Sequence, residues 1–271
     1  GDCCPVCGGD ELFRLPFLVP PGFAVDVNLE DKKADGGSMD WAGSASKARM
    51  EVKHIQDWDF HCFDERLQAV ARPDFLVVVN KGLGDRGFMI CPDCGRAEPK
   101  YGKDFTKSVL FDKKGKVRPH KHPTQEGVVC NGHPVGPFFL GHRFLTDVIL
   151  MRLKFTRPFK CEVTSAEGRS ALTTLVEVLC LAACRVLQVE EGELLGNWSP
   201  VEDMNGHCAD IYLYDKLAGG AGYARSIGQP SVLEEIFAVA ESILSGCSCD
   251  SSCYDCLSSY QNKHYHGALH R

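Results

Sequence analysis

The sequence has no apolar segment at its start that could act as a signal sequence, and no uninterrupted run of about 18 apolar residues that could span a membrane. We therefore expect a protein of the reducing cytoplasm that has no membrane contact. It also lacks a surplus of positive charge, because 30 Lys and Arg stand against 36 Asp and Glu, for a net charge of −6. This balance excludes a protein whose whole surface binds nucleic acid, so any contact with DNA must come from a local basic segment.

The motifs of nucleotide hydrolysis are absent as well. The sequence contains no GxxxxGK[ST] phosphate-binding loop, no DExH box, no arginine-finger motif and no pair of carboxylates suited to a nuclease. A glycine-rich loop at 219–222 follows a predicted strand, but it has no GxGxxG pattern, so tight packing is favoured over phosphate binding. We predict no catalytic and no nucleotide-binding residues, and no ATP hydrolysis by this chain alone.

Cysteine is abundant by contrast, with 15 residues. An odd number argues against a fully paired disulfide framework, and clustered thiols in a reducing compartment are more often metal ligands. The densest cluster has the spacing CxCxxxCxxC and consists of Cys247, Cys249, Cys253 and Cys256. Two short chelating loops can supply four thiolates at tetrahedral corners, which is the arrangement of a structural zinc site. We predict such a site here.

A second zinc site is predicted around the CxxC pair Cys91 and Cys94, with Cys130 as the third ligand. His133 is the nearest candidate for the fourth ligand, because Cys130 and His133 form a CxxH pair; His120 and His122 are the alternatives. Two zinc ions are therefore expected. A third is an open alternative that would use Cys4 and Cys7 together with His61 and Cys62, or together with ligands N-terminal to Gly1. The remaining pair, Cys180 and Cys184, lies within an apolar helix pattern, which favours small buried thiols.

The hydrophobic pattern predicts an α+β fold. Short strands are predicted at 75–80, 88–90 and 209–214 and a long strand at 144–155, and a CxxC pair directly after a strand is typical of a zinc ribbon. Apolar residues at helical spacing predict a helix over 170–190, and a second helix is expected to begin with a capping box of Ser231 and Glu234 and to end at Gly246. We expect an antiparallel sheet with two main helices and zinc knuckles, in three consecutive segments: 1–70, unplaced; 71–160, ribbon-like with a basic insert; and 161–271, a zinc-binding domain.

The basic insert spans 100–122 and holds eight Lys and Arg against two Asp. Its side chains could contact a nucleic-acid backbone, with Tyr101, Phe105 and Phe111 available for stacking; a solvated loop is the alternative. The candidate DNA-binding residues are Lys107, Lys113, Lys114, Lys116, Arg118 and Lys121. A second polar and aromatic run lies at 260–266, and there packing against the zinc knuckle is favoured over a nuclease role.

The C-terminal half resembles a known family. The matching residues are IYLYD at 211–215, GGAGY at 219–223, CSCDSSCYDCLSSYQN at 247–262, and the closing His266, Leu269 and Arg271. Together they resemble the MrfA-like zinc-binding domain, found at the C-terminus of superfamily 2 DNA helicases of repair and phage-defence systems and in a helicase-partner protein of the DISARM system. The segment 88–155, with its CxxCG knuckle and LGHRFLTDV at 140–148, is similar to the region that precedes this domain. The family often ends in Leu-Asp-Arg, whereas this chain has His270 in the middle position.

The resemblance implies a zinc-stabilised accessory domain in DNA repair or anti-phage defence. Such a domain would dock on helicase motor domains in the same or a partner chain, and would help the complex to engage DNA. The alternative is a protein–protein scaffold of a phage-defence complex without DNA contact. A metalloenzyme is disfavoured, because it needs a zinc ion with an open coordination position and both predicted sites have four protein ligands.

Overall fold

The computed structural model describes residues 17–20, 49–50, 59–63, 65–156, 162–201, 207–259 and 262–271. The three α-helices of these residues are α1 (Ala166–Leu187), α2 (Tyr223–Ile227) and α3 (Pro230–Ser245), and short 3-10 helices span Leu83–Asp85 and Lys263–Ala268. Their strands are β1 (Phe17–Leu18), β2 (Arg49–Met50), β3 (His61–Cys62), β4 (Leu67–Asn80), β5 (Phe88–Ile90), β6 (Ala97–Pro99), β7 (His120–Lys121), β8 (Val129–Cys130), β9 (Val135–Lys154), β10 (Leu194–Pro200) and β11 (Cys208–Asp215).

The chain forms two compact units that are not consecutive segments. Of the described residues, those within 49–76 and Phe144–Arg271 belong to the first unit, and 17–20 and Val77–Arg143 belong to the second. The predicted divisions at residues 70 and 160 differ from these boundaries, because the chain leaves the first unit after Leu76 and returns to it at Phe144.

The first unit is built on an antiparallel sheet in which β10, β11, β9, β4 and β2 lie in this order. Leu194 pairs with Asp215 and Cys208 pairs with Lys154, so β11 lies between β10 and the C-terminal part of β9. All eight residues of β11 are buried. The hydrophobic pattern predicts β11 but not β10, because Gly196 and Pro200 weaken the strand pattern of β10.

Helix α1 packs on this sheet. It begins after Ser165, whose hydroxyl oxygen accepts a 2.9 Å hydrogen bond from the amide of Gly168, and it ends at Gln188 in the left-handed region with φ 54°. By length and composition alone α1 could cross a membrane, a test that the core helix of a folded protein also passes, and 44% of its most apolar window is buried inside the structure. A Cβ atom on Gly196 would lie only 2.7 Å from Val176, which explains a glycine in β10 beneath α1.

Helix α3 begins one residue earlier than predicted, and the predicted capping box is not formed. The N-cap is Gln229, which makes no side-chain capping bond, and Pro230 occupies the first turn. The fixed φ of proline and its missing N–H suit this position. Pro230 therefore favours the start of the helix here, a role that the sequence assigned to a capping box of Ser231 and Glu234. The helix ends at Gly246, as predicted.

The second unit contains the ribbon. Strand β5 pairs antiparallel with β6, from Phe88 opposite Pro99 to Ile90 opposite Ala97, and also with the start of β9. Strands β7 and β8 form a separate antiparallel pair. The two-residue pairing of β1 with β9 is parallel. Three helices, a mostly antiparallel sheet and a knuckle between β5 and β6 confirm the predicted α+β class.

Candidate metal centres

Four cysteine thiols converge directly after α3. The Sγ atoms of Cys247 and Cys253 lie 3.5 Å apart, and that of Cys256 lies 3.7 Å from both Cys249 and Cys253. All four sulfur atoms lie within 4.8 Å of one another. Sulfur atoms at tetrahedral corners, each about 2.3 Å from a zinc ion, would be about 3.8 Å apart. The group therefore fits a structural zinc ion, and its separations are far too long for a disulfide.

The loop geometry that gathers these thiols is local. The carbonyl of Cys253 accepts hydrogen bonds from the amides of Cys256, Leu257 and Ser258 at 3.1, 3.1 and 2.9 Å. The amide of Cys253 donates to Sγ of Cys256 at 3.2 Å. An N–H group directed at sulfur stabilises a thiolate, so this turn both positions the second cysteine pair and favours its metal-binding form.

The pKa values of these thiols also indicate that the group needs a bound cation. A hydrogen bond from the backbone amide of Cys249 lowers the pKa of Cys247 to about 7. Desolvation, together with hydrogen bonds to the neighbouring thiols, raises the pKa of Cys249 to about 12. Thiols this close cannot all ionise without a compensating positive charge, and a bound zinc ion would supply it.

The end of the chain braces this first group. The Arg271 guanidinium donates to the carbonyl of Cys249 at 2.6 Å and to that of Leu244 at 3.3 Å. Leu269 is fully buried, and Asn262 donates to the Glu177 carboxylate on α1 at 3.0 Å. Nε2 of His266 lies 2.9 Å from Oδ1 of Asn262. The run 260–266 thus has packing contacts in its described residues, in agreement with the interpretation favoured from the sequence.

A second group lies in the second unit and consists of Cys91, Cys94, His120 and Cys130. The Sγ atoms of Cys91 and Cys130 are 3.7 Å apart, and Sγ of Cys94 is 3.3 Å from Nε2 of His120. Three thiolates and one imidazole form a common structural zinc set. Nδ1 of His120 lies 3.2 Å from the carbonyl oxygen of Arg118. As the donor of that bond, Nδ1 would carry the proton and leave Nε2 free to bind a metal ion.

His133 was the first choice for the fourth ligand, and here the structure gives a correction. His133 is exposed and is not part of the group, whereas His120 is 4% exposed and belongs to it. The cause is strand pairing: β7 lies antiparallel to β8 with His120 directly opposite Cys130. His122, the other alternative, is also outside the group.

The thiolate forms of the second group depend on the knuckle backbone. Burial opposes ionisation of Cys91, but hydrogen bonds from the backbone amides of Cys94 and Asp93 outweigh it and lower the pKa of Cys91. Burial raises the pKa of Cys94 to about 12. Gly132 packs against the group so closely that a Cβ atom there would lie 2.5 Å from Sγ of Cys91.

The other cysteines among the described residues fall outside both groups. Cys184 is 2% exposed in the core, Cys180 is partly buried beside it, and burial raises the pKa of Cys184. Both agree with the prediction of core thiols. For the third zinc site, Cys4 and Cys7 lie outside the described residues, while Cys62 is exposed and accepts a 3.5 Å hydrogen bond from Gln68.

The glycine-rich loop is held by two buried carboxylates that sequence reasoning did not single out as a pair. Asp215 accepts hydrogen bonds from the amides of Ala221, Tyr223 and Ala224 at 2.6, 3.1 and 2.8 Å. Asp147 accepts one from the amide of Gly222 at 3.1 Å and pairs with Arg225 at 2.9 Å. The amides of Gly219 and Gly220 donate to the carbonyls of Leu145 and Leu217. All four amides of the loop thus already have acceptors, and tight packing is the role that the geometry supports.

The candidate DNA-binding residues are not equivalent. Lys107, Lys113, Lys114, Lys116 and Lys121 are exposed. The Arg118 guanidinium instead donates to the carbonyls of Ser108 and Val109 at 2.6 and 3.1 Å. Arg118 therefore has a structural role in the insert.

Comparison with known proteins agrees with this geometry. Residues 175–257 match the family model of the MrfA Zn-binding domain. The Druantia protein DruE of Escherichia coli (strain UMEA 4076-1) is 29% identical over 291 residues, an alignment that covers 99% of this chain and 15% of DruE. This chain thus spans about a seventh of the length of that relative.

A solved structure, the crystal structure of DUF1998 helicase MrfA bound to DNA, has a TM-score of 0.45 and 13% identity. That alignment covers 80% of this chain and 23% of the helicase. The likeness is too low to support a functional argument. The family match covers α3 and all four thiols of the first group, which confirms for residues 175–257 the resemblance to the MrfA zinc-binding domain noted in the sequence.

Proposed function

We propose that this chain is a zinc-stabilised accessory part of a DNA helicase that acts in DNA repair or anti-phage defence. The observation that carries the proposal is the assembled four-cysteine group inside the segment that matches the MrfA Zn-binding domain. The similarity to DruE along nearly the whole chain, over a small share of that protein, supports a role as one part of a longer polypeptide. The proposed location is the cytoplasm, where thiols stay reduced and free to bind zinc.

In this proposal the chain has no catalytic activity of its own. Both four-residue groups offer a complete set of protein ligands, so a zinc ion in either would have no open position for a substrate. The chain docks on the motor domains and helps the complex to engage DNA. We expect no DNA-stimulated ATP hydrolysis from the purified 271-residue chain.

The test uses the longer protein or complex that contains the motor. Cys256→Ser removes one ligand of the first group, and we expect it to lower DNA unwinding and DNA affinity. Cys184→Ala is the matched control, because it also removes a buried thiol but belongs to neither metal group. Unchanged unwinding and DNA affinity in a zinc-depleted Cys256→Ser protein would contradict the accessory role.

The scaffold alternative makes a different prediction. A scaffold without DNA contact would lose its protein partners in the Cys256→Ser variant, while the DNA affinity of the remaining motor and its dependence on salt stayed the same. Phosphate contacts lose affinity steeply with salt, so titrations at several salt concentrations separate the two functions.

A further inference from the structure

The basic insert contains a closed turn that presents three lysines. The amide of Asp112 donates to the carbonyl of Lys116, and that of Gly115 donates to the carbonyl of Asp112, both at 2.8 Å. Oδ1 of Asp112 accepts from the amides of Lys114 and Lys116, both at 2.9 Å. At the base of the turn, the backbones of Phe111 and Val117 form an isolated antiparallel β-bridge. The backbone of 112–116 is thus fixed by its own hydrogen bonds, with the exposed Lys113, Lys114 and Lys116 projecting from it.

A buried carboxylate anchors the segment that leads into this turn. Glu98, 6% exposed, accepts from the hydroxyl of Ser108 at 2.5 Å and from the amides of Val109 and Leu110 at 2.7 and 3.2 Å. These three hydrogen-bond donors compensate the free-energy cost of burying the Glu98 carboxylate. Because Glu98 lies on β6 of the ribbon, this anchor ties the insert to the ordered sheet.

The segment that leaves the turn is anchored to the second metal group. The amide of Arg118 donates to the carbonyl of Leu110 at 3.0 Å, which holds the two arms of the insert together. The carbonyl of Arg118 pairs with Nδ1 of His120, whose Nε2 faces Cys94. The lysine turn is therefore held on one side by Glu98 and on the other by a residue of the candidate zinc site.

We infer that the turn 112–116 is a contact surface for the phosphodiester backbone of DNA, with Lys113, Lys114 and Lys116 as the cations and Glu98 as a positioning residue. This inference rests on the proposed function and narrows it to one surface. The three ammonium groups make no ion pair or hydrogen bond within the described part of the chain, so they remain available to phosphates. Lysines on a fixed turn lose less conformational freedom on binding than lysines on a flexible loop.

Such contacts do not read base sequence. Phosphate contacts position a protein on nucleic acid, whereas sequence is read at base edges. We therefore expect this surface to add affinity that is independent of base order and sensitive to salt. Arg118 is excluded from the surface, because its guanidinium is bound to two backbone carbonyls of the insert.

The first experiment removes the charge. In the longer protein, the triple change Lys113→Ala, Lys114→Ala and Lys116→Ala should weaken DNA binding about 10-fold or more at low salt, and should reduce the slope of log K against log salt by about one unit per lost contact. The control removes the same charge at exposed or half-exposed lysines elsewhere, with Lys81→Ala, Lys154→Ala and Lys216→Ala. Equal losses in both triple variants, or none in either, would overturn the inference.

The second experiment tests positioning. Glu98→Ala keeps every lysine but removes the acceptor of two amides and one hydroxyl, so DNA affinity should fall while both zinc ions are retained. In the triple variant that lacks Lys113, Lys114 and Lys116, the same change should lower DNA affinity no further. Such non-additivity would show that Glu98 acts through these lysines. An equal loss in both backgrounds would show that Glu98 acts on the fold in general, and would overturn its positioning role.

The outcomes also separate this inference from the proposed function. If the lysine triple variant binds DNA like the parent while Cys256→Ser still lowers unwinding, the accessory role stands and the surface does not. A triple variant that loses binding to RNA or to an acidic peptide, but keeps its DNA affinity and salt slope, would assign the turn to a different partner and overturn the inference for DNA.

Discussion

Nε2 of His120 lies 3.3 Å from Sγ of Cys94, and Nδ1 of the same ring lies 3.2 Å from the carbonyl of Arg118. The Arg118 carbonyl therefore orients the imidazole so that Nε2 faces the group of three cysteines. His120 lies 26 residues from Cys94 in the sequence and joins the group because β7 pairs with β8, which places it opposite Cys130. This relationship leads to the first prediction.

His120→Ala should lower the zinc content of the purified chain from about two ions to about one, because a three-ligand remnant binds zinc weakly. His133→Ala should leave the content unchanged, since His133 is exposed and outside the group. Elemental analysis of both variants, purified without chelator, is the measurement. If His133→Ala lost zinc and His120→Ala did not, His133 would be the fourth ligand, as the sequence predicts.

Cys256→Ser should remove the other zinc ion and lower the thermal midpoint of unfolding markedly, because zinc-binding free energy at such a site is largely folding free energy. Cys184→Ala should keep both zinc ions and cost about 1 kcal/mol, as expected for a small buried group. Zinc content and thermal unfolding are measured on the same preparations. A Cys256→Ser protein with full zinc and unchanged midpoint would show that this cysteine is not a ligand.

Asp215→Ala should destabilise the first unit by about 3 kcal/mol, because three backbone amides lose their shared acceptor in a buried place. Asp59→Ala is the control, since Asp59 is exposed. Urea unfolding of the zinc-loaded chain gives both values. Equal midpoints for the two variants would mean that water or a rearranged loop satisfies these amides.

Arg271→Ala should speed the release of zinc from the first group, because the guanidinium fixes the carbonyl of the ligand Cys249 at 2.6 Å. Changes to such outer partners typically weaken metal binding about 10-fold or more. Release to a chromogenic chelator should show one faster phase and one unchanged phase. The exposed Arg185 provides the control Arg185→Ala, and Arg271→Lys should restore part of the effect. Identical release from all three variants would leave Arg271 with no role at the centre.

Local features were predictable from the sequence. The first thiol group spans ten residues, so its spacing alone places the ligands within reach of one metal ion. Helix α1 has a continuous apolar period, and its predicted position agrees with the structure to within a few residues. Strands β5 and β11 were also found, because short apolar or β-branched runs bounded by turn residues are a local signal.

Features that depend on distant partners were decided only by the tertiary structure. The choice of His120 over His133 follows from the register of β7 against β8, and sequence distance favoured the wrong histidine. Strand β10 carries glycine and proline, and its place is fixed by packing beneath α1. The use of Asp147 and Arg118 to bind backbone groups was also hidden, because a charged residue in a sequence does not reveal whether folding will bury it among amides and carbonyls or leave it in water.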